Sequence, residues 1–173
     1  MRTQIDYSDG VTESITSSDR AWSLLIDTYG TLLRRFEADM QREAGISLSW
    51  FDVTANLITE PDYQMRMGEL AERAVLSFSR ISRVVSELVS EGLVERITDP
   101  TDGRGVIVKL TDEGRALQRK AGRVHLRGIR EYFGAYLSAA QADSMVTALE
   151  AVLLAHERSP SPLKAWRQSD SID

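Results

Sequence analysis

The chain has no cysteine among its 173 residues. That one absence excludes disulfide scaffolding, thiol redox sensing, cysteine nucleophiles and thiolate metal sites together. Histidine is nearly as scarce: His125 and His156 are the only two, and no nucleophile with a recognisable base accompanies either. His156-Glu157 begins a zinc-protease motif, but Pro160 stands where its second histidine belongs. Gly103 and Gly105 lack the third glycine of a dinucleotide loop and lead into a strand-like segment rather than a helix. No enzyme activity, no metal and no cofactor are therefore expected. Long apolar runs are missing too, since none approaches the roughly 20 residues that span a bilayer. The first 19 residues are polar, without the apolar stretch of a secretory signal, so a cytoplasmic protein with no membrane association is expected. Positive charge is in deficit, at a net −5. Coating nucleic acid by bulk electrostatics is thus excluded, and any DNA contact must come from a local basic patch.

What remains is the composition of a globular protein, 42% hydrophobic and 27% charged, of a length that fits one ordinary domain. Residues 1–18 are rich in Ser, Thr and Asp, and 157–173 contain Ser159-Pro160-Ser161-Pro162, so both ends read as flexible tails. Between them Trp22, Leu25, Ile26, Tyr29, Leu32, Leu33, Phe36 and Met40 recur at helical spacing, predicting a long amphipathic helix from Asp19 that stops near Gly45. Ser49 is placed to cap a second helix that ends at Pro61. A short helix over 67–74, a break at Val75-Leu76 and a helix that Ser77 is placed to cap, running to Glu91 and ended by Gly92, follow. Leu93 to Ile97 and Val106 to Leu110 read as the two strands of a hairpin around the turn residues 99–105. Thr111 caps a further helix extending toward Tyr136, and Ala142, Val146, Leu149 and Leu153 mark a last one.

A two-stranded ribbon directly after a helix-turn-helix makes a wing. The expected fold is mainly α with a small β-hairpin wing. It divides into a dimerisation helix over 19–46, a winged helix-turn-helix DNA-binding domain over 47–111, and dimerisation helices over 112–156. The outer helices carry more apolar surface than the small middle domain can cover, which predicts a homodimer; the alternative is that they close one monomeric core.

From Arg73 to Ser86 there is no acidic residue. On the helix that begins at Ser77, itself a candidate DNA contact, residues Ile81, Val84, Val85 and Leu88 line one face, while Ser79, Arg80, Ser82, Arg83 and Ser86 occupy the other side. Small hydroxyls let a helix approach the major groove closely, and arginine donates bidentately to guanine or grips phosphate. At the hairpin tip Arg104 stands between two glycines, open to a minor groove, with Asp102 placed to orient it. A solvated face and an ordinary turn are the structural alternatives, as is a winged helix that binds an acidic protein partner instead of double-stranded DNA.

Several of these segments, Leu70-Ala71, Ser77-Phe78-Ser79-Arg80-Ile81-Ser82-Arg83, Glu91-Gly92-Leu93-Val94-Glu95-Arg96, and Asp99-Pro100-Thr101-Asp102-Gly103-Arg104 through Leu110-Thr111, resemble the MarR family. The wing pattern over 99–111 is the most specific of them; Gly103 departs from it where the family often has a second arginine. The resemblance implies a winged-helix homodimer on a pseudo-palindromic operator, usually a repressor released by a small acidic or phenolic effector. Trp22, Asp52 and Arg96 resemble three ligand positions of the urate-responsive branch, and they would suit a planar anion. Val84 stands where that branch has a second arginine, which argues against urate itself. A core anchor at Trp22, a helix cap at Asp52 and an ion pair at Arg96 are the competing readings.

Overall fold

The computed structural model describes residues 15–74, 77–103 and 105–156. The readings made for most of the two tails, for the break at Val75-Leu76 and for Arg104 lie outside them. Helix α1 spans Ser17–Asp39, two residues longer at its start than expected, because Thr16 and Asp19 form a reciprocal capping box. It runs directly into a π-helical turn, Met40–Ala44. Here Asp39 is buried, accepting from the Tyr132 hydroxyl and pairing with Arg42. The Tyr132 hydrogen bond foremost, aided by Arg42, holds the Asp39 carboxyl below its ordinary range.

Helix α2 (Leu48–Ile58) is capped by Ser47, whose Oγ accepts from the Trp50 N–H at 3.2 Å, and not by Ser49 as the sequence suggested. Ile46 is buried beside Met40 and Phe51, and Glu37 Oε2 accepts from the Leu48 N–H at 2.9 Å. These two contacts fix the entry of the chain, so that Ser49 falls inside the first turn.

A 3-10 turn at Pro61–Tyr63, with Asp62 and Tyr63 in the left-handed region, returns the chain to β1 (Gln64–Arg66). Helices α3 (Met67–Arg73) and α4 (Phe78–Ser90) follow. Gly92 at φ +70 then turns the chain out of α4, a conformation open to glycine without a Cβ clash. Strands β2 (Val94–Thr98) and β3 (Val106–Leu110) form the expected hairpin. The sheet nevertheless has three antiparallel strands in the order β1-β3-β2, with Met65 opposite Val108. The expected hairpin is present, and β1 joins it as a third strand not read from the sequence. Three residues offer too little alternation to announce a strand; β1 is extended because the free edge of β3 pairs with it and Met65 drops into the core.

Helix α5 (Asp112–Tyr132) is capped by Thr111, as expected, but ends four residues before Tyr136; a 3-10 turn at Gly134–Tyr136 leads to α6 (Ala139–Ala155). Two cores result. One unites α2, α3, α4 and the sheet through Val53, Leu57, Leu70, Ile81, Val85, Leu88 and Val108. The other joins the π-helical turn, α2 and α5 through Met40, Ile46, Phe51, Ala121 and Val124. Trp50 packs against both. At this junction the His125 ring lies 4.9 Å from Phe36 and 4.6 Å from Phe51, and burial pushes its pKa down to about 4. Among the described residues no single helix is long and apolar enough to cross a membrane.

Candidate nucleic-acid interface

Helix α4 exists because four apolar residues at helical spacing bury one side of it: Ile81, Val84, Val85 and Leu88 are at most 4% exposed. Val84, the departure from the urate-branch pattern, is thus part of the core. Ser77, Ser79, Arg80 and Arg83 are exposed, and Ser82 is partly so. Ser77 holds the cap position expected of it, but its side chain makes no cap bond, its Oγ lying 3.3 Å from Ser79 Oγ instead. Small hydroxyls are therefore exposed at a helix N-terminus, where the dipole favours phosphate.

The arginines have definite partners. Arg80 Nη2 donates to Ser49 Oγ at 3.2 Å. Arg83, with its side chain 82% exposed, places Nε 3.3 Å from Glu87 Oε1. The other oxygen of Glu87 accepts from the Trp50 indole N–H at 3.0 Å. Neither Trp50 nor Glu87 was singled out in the sequence, because a bond across 37 positions leaves no local signal. Phe78 was passed over too. Its spacing to Ile81 assigns it to the buried stripe, yet it is 61% exposed. Side chains of a helix cover the turn before their own Cα; Phe78 is the first residue of α4, so its ring has no preceding turn to cover.

At the wing, Asp99 is buried, and its Oδ1 accepts from the Thr101 N–H (2.8 Å) and hydroxyl (2.7 Å). Arg66 of β1 approaches Asp99 Oδ2 at 2.7 Å and donates from Nη2 to Thr101 Oγ1 at 2.8 Å. The Thr101 hydrogen bonds first, and Arg66 after them, hold the Asp99 carboxyl below its ordinary range. Asp102 is exposed, and its carbonyl accepts from the Gly105 N–H at 2.7 Å.

Of the three ligand candidates, Trp22 stands on α1 at 64% exposure. It is no core anchor within one chain. Asp52 is inside α2 rather than at its cap, and its carbonyl accepts from Asn56 Nδ2 at 2.8 Å. Arg96 braces β2 against α4, donating from Nη2 to Ser86 Oγ (2.8 Å) and the Ser82 carbonyl (3.3 Å). Two surface cavities are lined by other residues. One of about 340 Å³ lies among Tyr63, Glu95, Lys109, Thr111 and Arg115, and another of about 390 Å³ along Leu33, Glu37 and Gln41. Four arginines lie four apart along α5, at 115, 119, 123 and 127. Arg119 and Arg123 are exposed, but Arg127 pairs with Glu43 at 2.7 Å and Arg115 lies 4.7 Å over the Tyr63 ring.

Residues 44–105, from the end of the π-helical turn to the turn between β2 and β3, match the model of the MarR family. An uncharacterised HTH-type transcriptional regulator of Bacillus subtilis is 34% identical over 94 residues, 49% of this chain and 64% of that protein. Another from Mycobacterium bovis is 30% identical over 115 residues, 66% of this chain and 78% of that protein. The crystal structure of a MarR family transcriptional regulator from Streptomyces coelicolor, in complex with DNA, superposes with a TM-score of 0.77 at 27% identity, covering 90% of this chain and 98% of that one. These relatives are transcriptional regulators, not enzymes. Sequence, wing and superposition agree, and the chain belongs to the MarR family of winged helix-turn-helix transcriptional regulators.

Proposed function

We propose that the protein acts as a cytoplasmic homodimer that binds a pseudo-palindromic operator in double-stranded DNA and represses transcription until a small acidic or aromatic effector releases it. The observation that carries the reading is the outward face of α4: Ser77, Ser79, Arg80, Ser82 and Arg83 on an acid-free stretch, set beside a wing. Asp102 and Arg104, both within the turn read from the sequence over 99–105, complete the proposed DNA contacts. The Streptomyces relative, whose structure holds DNA, supports the same use of the fold.

The dimer reading is supported by what one chain leaves uncovered. Trp22, Leu24, Leu25, Ile26, Tyr29 and Leu33 of α1 are exposed, and α6 buries no residue at all. Helices of 23 and 17 residues with bare apolar faces need a partner, and a second copy supplies the same faces by symmetry. The division into a DNA-binding domain over 47–111 and dimerisation helices over 19–46 and 112–156 follows. Trp22, Asp52 and Arg96 are the residues we assign to effector contact, on the family likeness alone.

Fluorescence anisotropy on duplexes tiled from the DNA upstream of the gene, at two salt concentrations, tests the reading. One inverted repeat should bind tightly to the wild type and lose that preference in Arg83→Ala, with binding weakening steeply as salt rises. Equal weak binding to every duplex would favour the protein-contact reading of the basic face.

A further inference from the structure

Of the two recognition arginines, Arg80 meets the first turn of α2 directly and Arg83 is linked to it through Glu87. Arg80 donates to Ser49 Oγ, and Arg83 pairs with Glu87, whose far oxygen is held by the Trp50 indole N–H. Ser49 and Trp50 occupy the first turn of α2. That turn is itself held from α1. One oxygen of Glu37 accepts from the Leu48 N–H at 2.9 Å, and the other accepts from Gln41 Nε2 at 3.1 Å. We propose that the first turn of α2 is a positioning element, in which Ser49 aims Arg80, and Trp50 acting through Glu87 aims Arg83, fixing base preference before DNA arrives. The inference rests on the reading of α4 as the DNA-binding helix and adds the residues that set its specificity.

The energetics favour orientation over stability as the use of these contacts. An exposed i,i+4 ion pair contributes little to folding. Its carboxylate, however, is not free to follow the arginine. The Trp50 ring packs against both cores, and its indole N–H fixes one Glu87 oxygen, which leaves the other at a defined place for the guanidinium. An arginine already held in its direction loses less freedom when it meets a base edge. The same carboxylate repels phosphate on every sequence alike, so Glu87 weakens non-specific binding while sharpening specific binding. A group that merely supports the fold cannot move those two affinities in opposite directions.

The test uses the full chain, a duplex selected by the wild-type protein from a random pool, and a scrambled duplex of the same composition. Trp50→Phe keeps the ring and removes the donor. It should bind the selected duplex about three- to tenfold more weakly, leaving the scrambled duplex and the slope against salt unchanged. Glu87→Gln should weaken selected binding by a similar factor and tighten scrambled binding. Ser49→Ala should relax discrimination at the base pair read by Arg80. In an Arg83→Ala background Trp50→Phe should have no further effect, the signature of action through Arg83. Equal tightening of Glu87→Gln on both duplexes, or equal losses in both backgrounds, would overturn the positioning role while α4 remains the reader. No enriched duplex, or an Arg83→Ala protein that binds like the wild type, would overturn the reading of α4 itself and this inference with it. Thermal midpoints within experimental error of wild type for Trp50→Phe and Glu87→Gln are expected; a collapsed Trp50→Phe protein leaves Glu87→Gln, on the exposed side of the pair, to decide the question.

Discussion

Arg66 Nε lies 2.7 Å from Oδ2 of Asp99, tying the strand before α3 to the root of the wing. The Asp99 side chain is 2% exposed and its other oxygen is filled by Thr101, so this one carboxylate organises both sides of the turn.

Asp99→Ala removes the shared partner of Arg66 and Thr101 and loosens the wing without touching either core. DNA affinity should fall about tenfold, the size of one lost groove or phosphate contact, while the main unfolding transition shifts little. Anisotropy and thermal circular dichroism on one sample check both halves. Unchanged DNA affinity would mean that the wing is not used in binding.

His125 gives the protein an acid sensitivity of predictable sign. Half-buried between Phe36 and Phe51, it stays neutral in the fold down to a pKa of about 4, whereas the unfolded chain takes up a proton near 6.5. Between those values the unfolded state binds more protons, so stability falls as pH falls, by up to about 1.4 kcal/mol per pH unit. Above pH 6.5 the residue is neutral in both states and contributes no slope. His125→Phe, which keeps an aromatic ring between the same two neighbours, should flatten denaturant-derived stability across this window. An identical pH profile in the variant would place the sensitivity elsewhere.

Gly114 is required by space. A Cβ there would stand 2.0 Å from the Leu93 carbonyl oxygen, a backbone atom already engaged by the Thr111 N–H at 3.1 Å. The gain of about 1 kcal/mol that alanine usually brings within a helix is outweighed by an overpacking cost of about 1–3 kcal/mol or more. Gly114→Ala should lower the thermal midpoint by several degrees. Gly68→Ala, in α3 with open space around it, should not.

Phe78 offers an apolar surface at the tip of α4. If α4 enters the major groove as proposed, the ring can meet the C5-methyl of a thymine. Replacing the contacted thymines of a selected duplex by deoxyuridine should weaken the wild type by about 0.8 kcal/mol per methyl, roughly fourfold. Phe78→Ala should be insensitive to the change. Equal sensitivity in both proteins would remove Phe78 from the contact.

Much of this architecture was legible in the sequence because it rests on local pattern. The stripe of Ile81, Val84, Val85 and Leu88, the turn at 99–105 and the Thr111 cap each carry their signal within a few residues. The Thr16–Asp19 capping box was also there to be found. What stayed hidden depends on partners distant in sequence. Choosing Ser47 over Ser49 as the cap needs the burial of Ile46 and the reach of Glu37. Strand β1 needs the edge of β3. The contacts of Arg80 with Ser49, and of Trp50 with the Glu87 that pairs with Arg83, cross many positions of sequence, and the direction of an arginine is a property of its neighbours rather than of its spacing.

The joint around Leu93 also has a mechanical meaning. Leu93 N–H donates to the Leu88 carbonyl at 2.9 Å, the Leu93 carbonyl accepts from the Thr111 N–H, and the Thr111 hydroxyl donates to the Gly92 carbonyl at 2.7 Å. The end of α4, the base of the hairpin and the start of α5 are thereby welded into one piece, with the Gly114 contact leaving no slack. Helix α5 then behaves as a lever about 30 Å long at 1.5 Å per residue, and a tilt of roughly 5° about its far end carries α4 by roughly 3 Å. In the proposed dimer each subunit brings such a lever, so a modest change of angle between the two α5 helices retunes the span between the reading helices from a fit to one turn of DNA to a misfit.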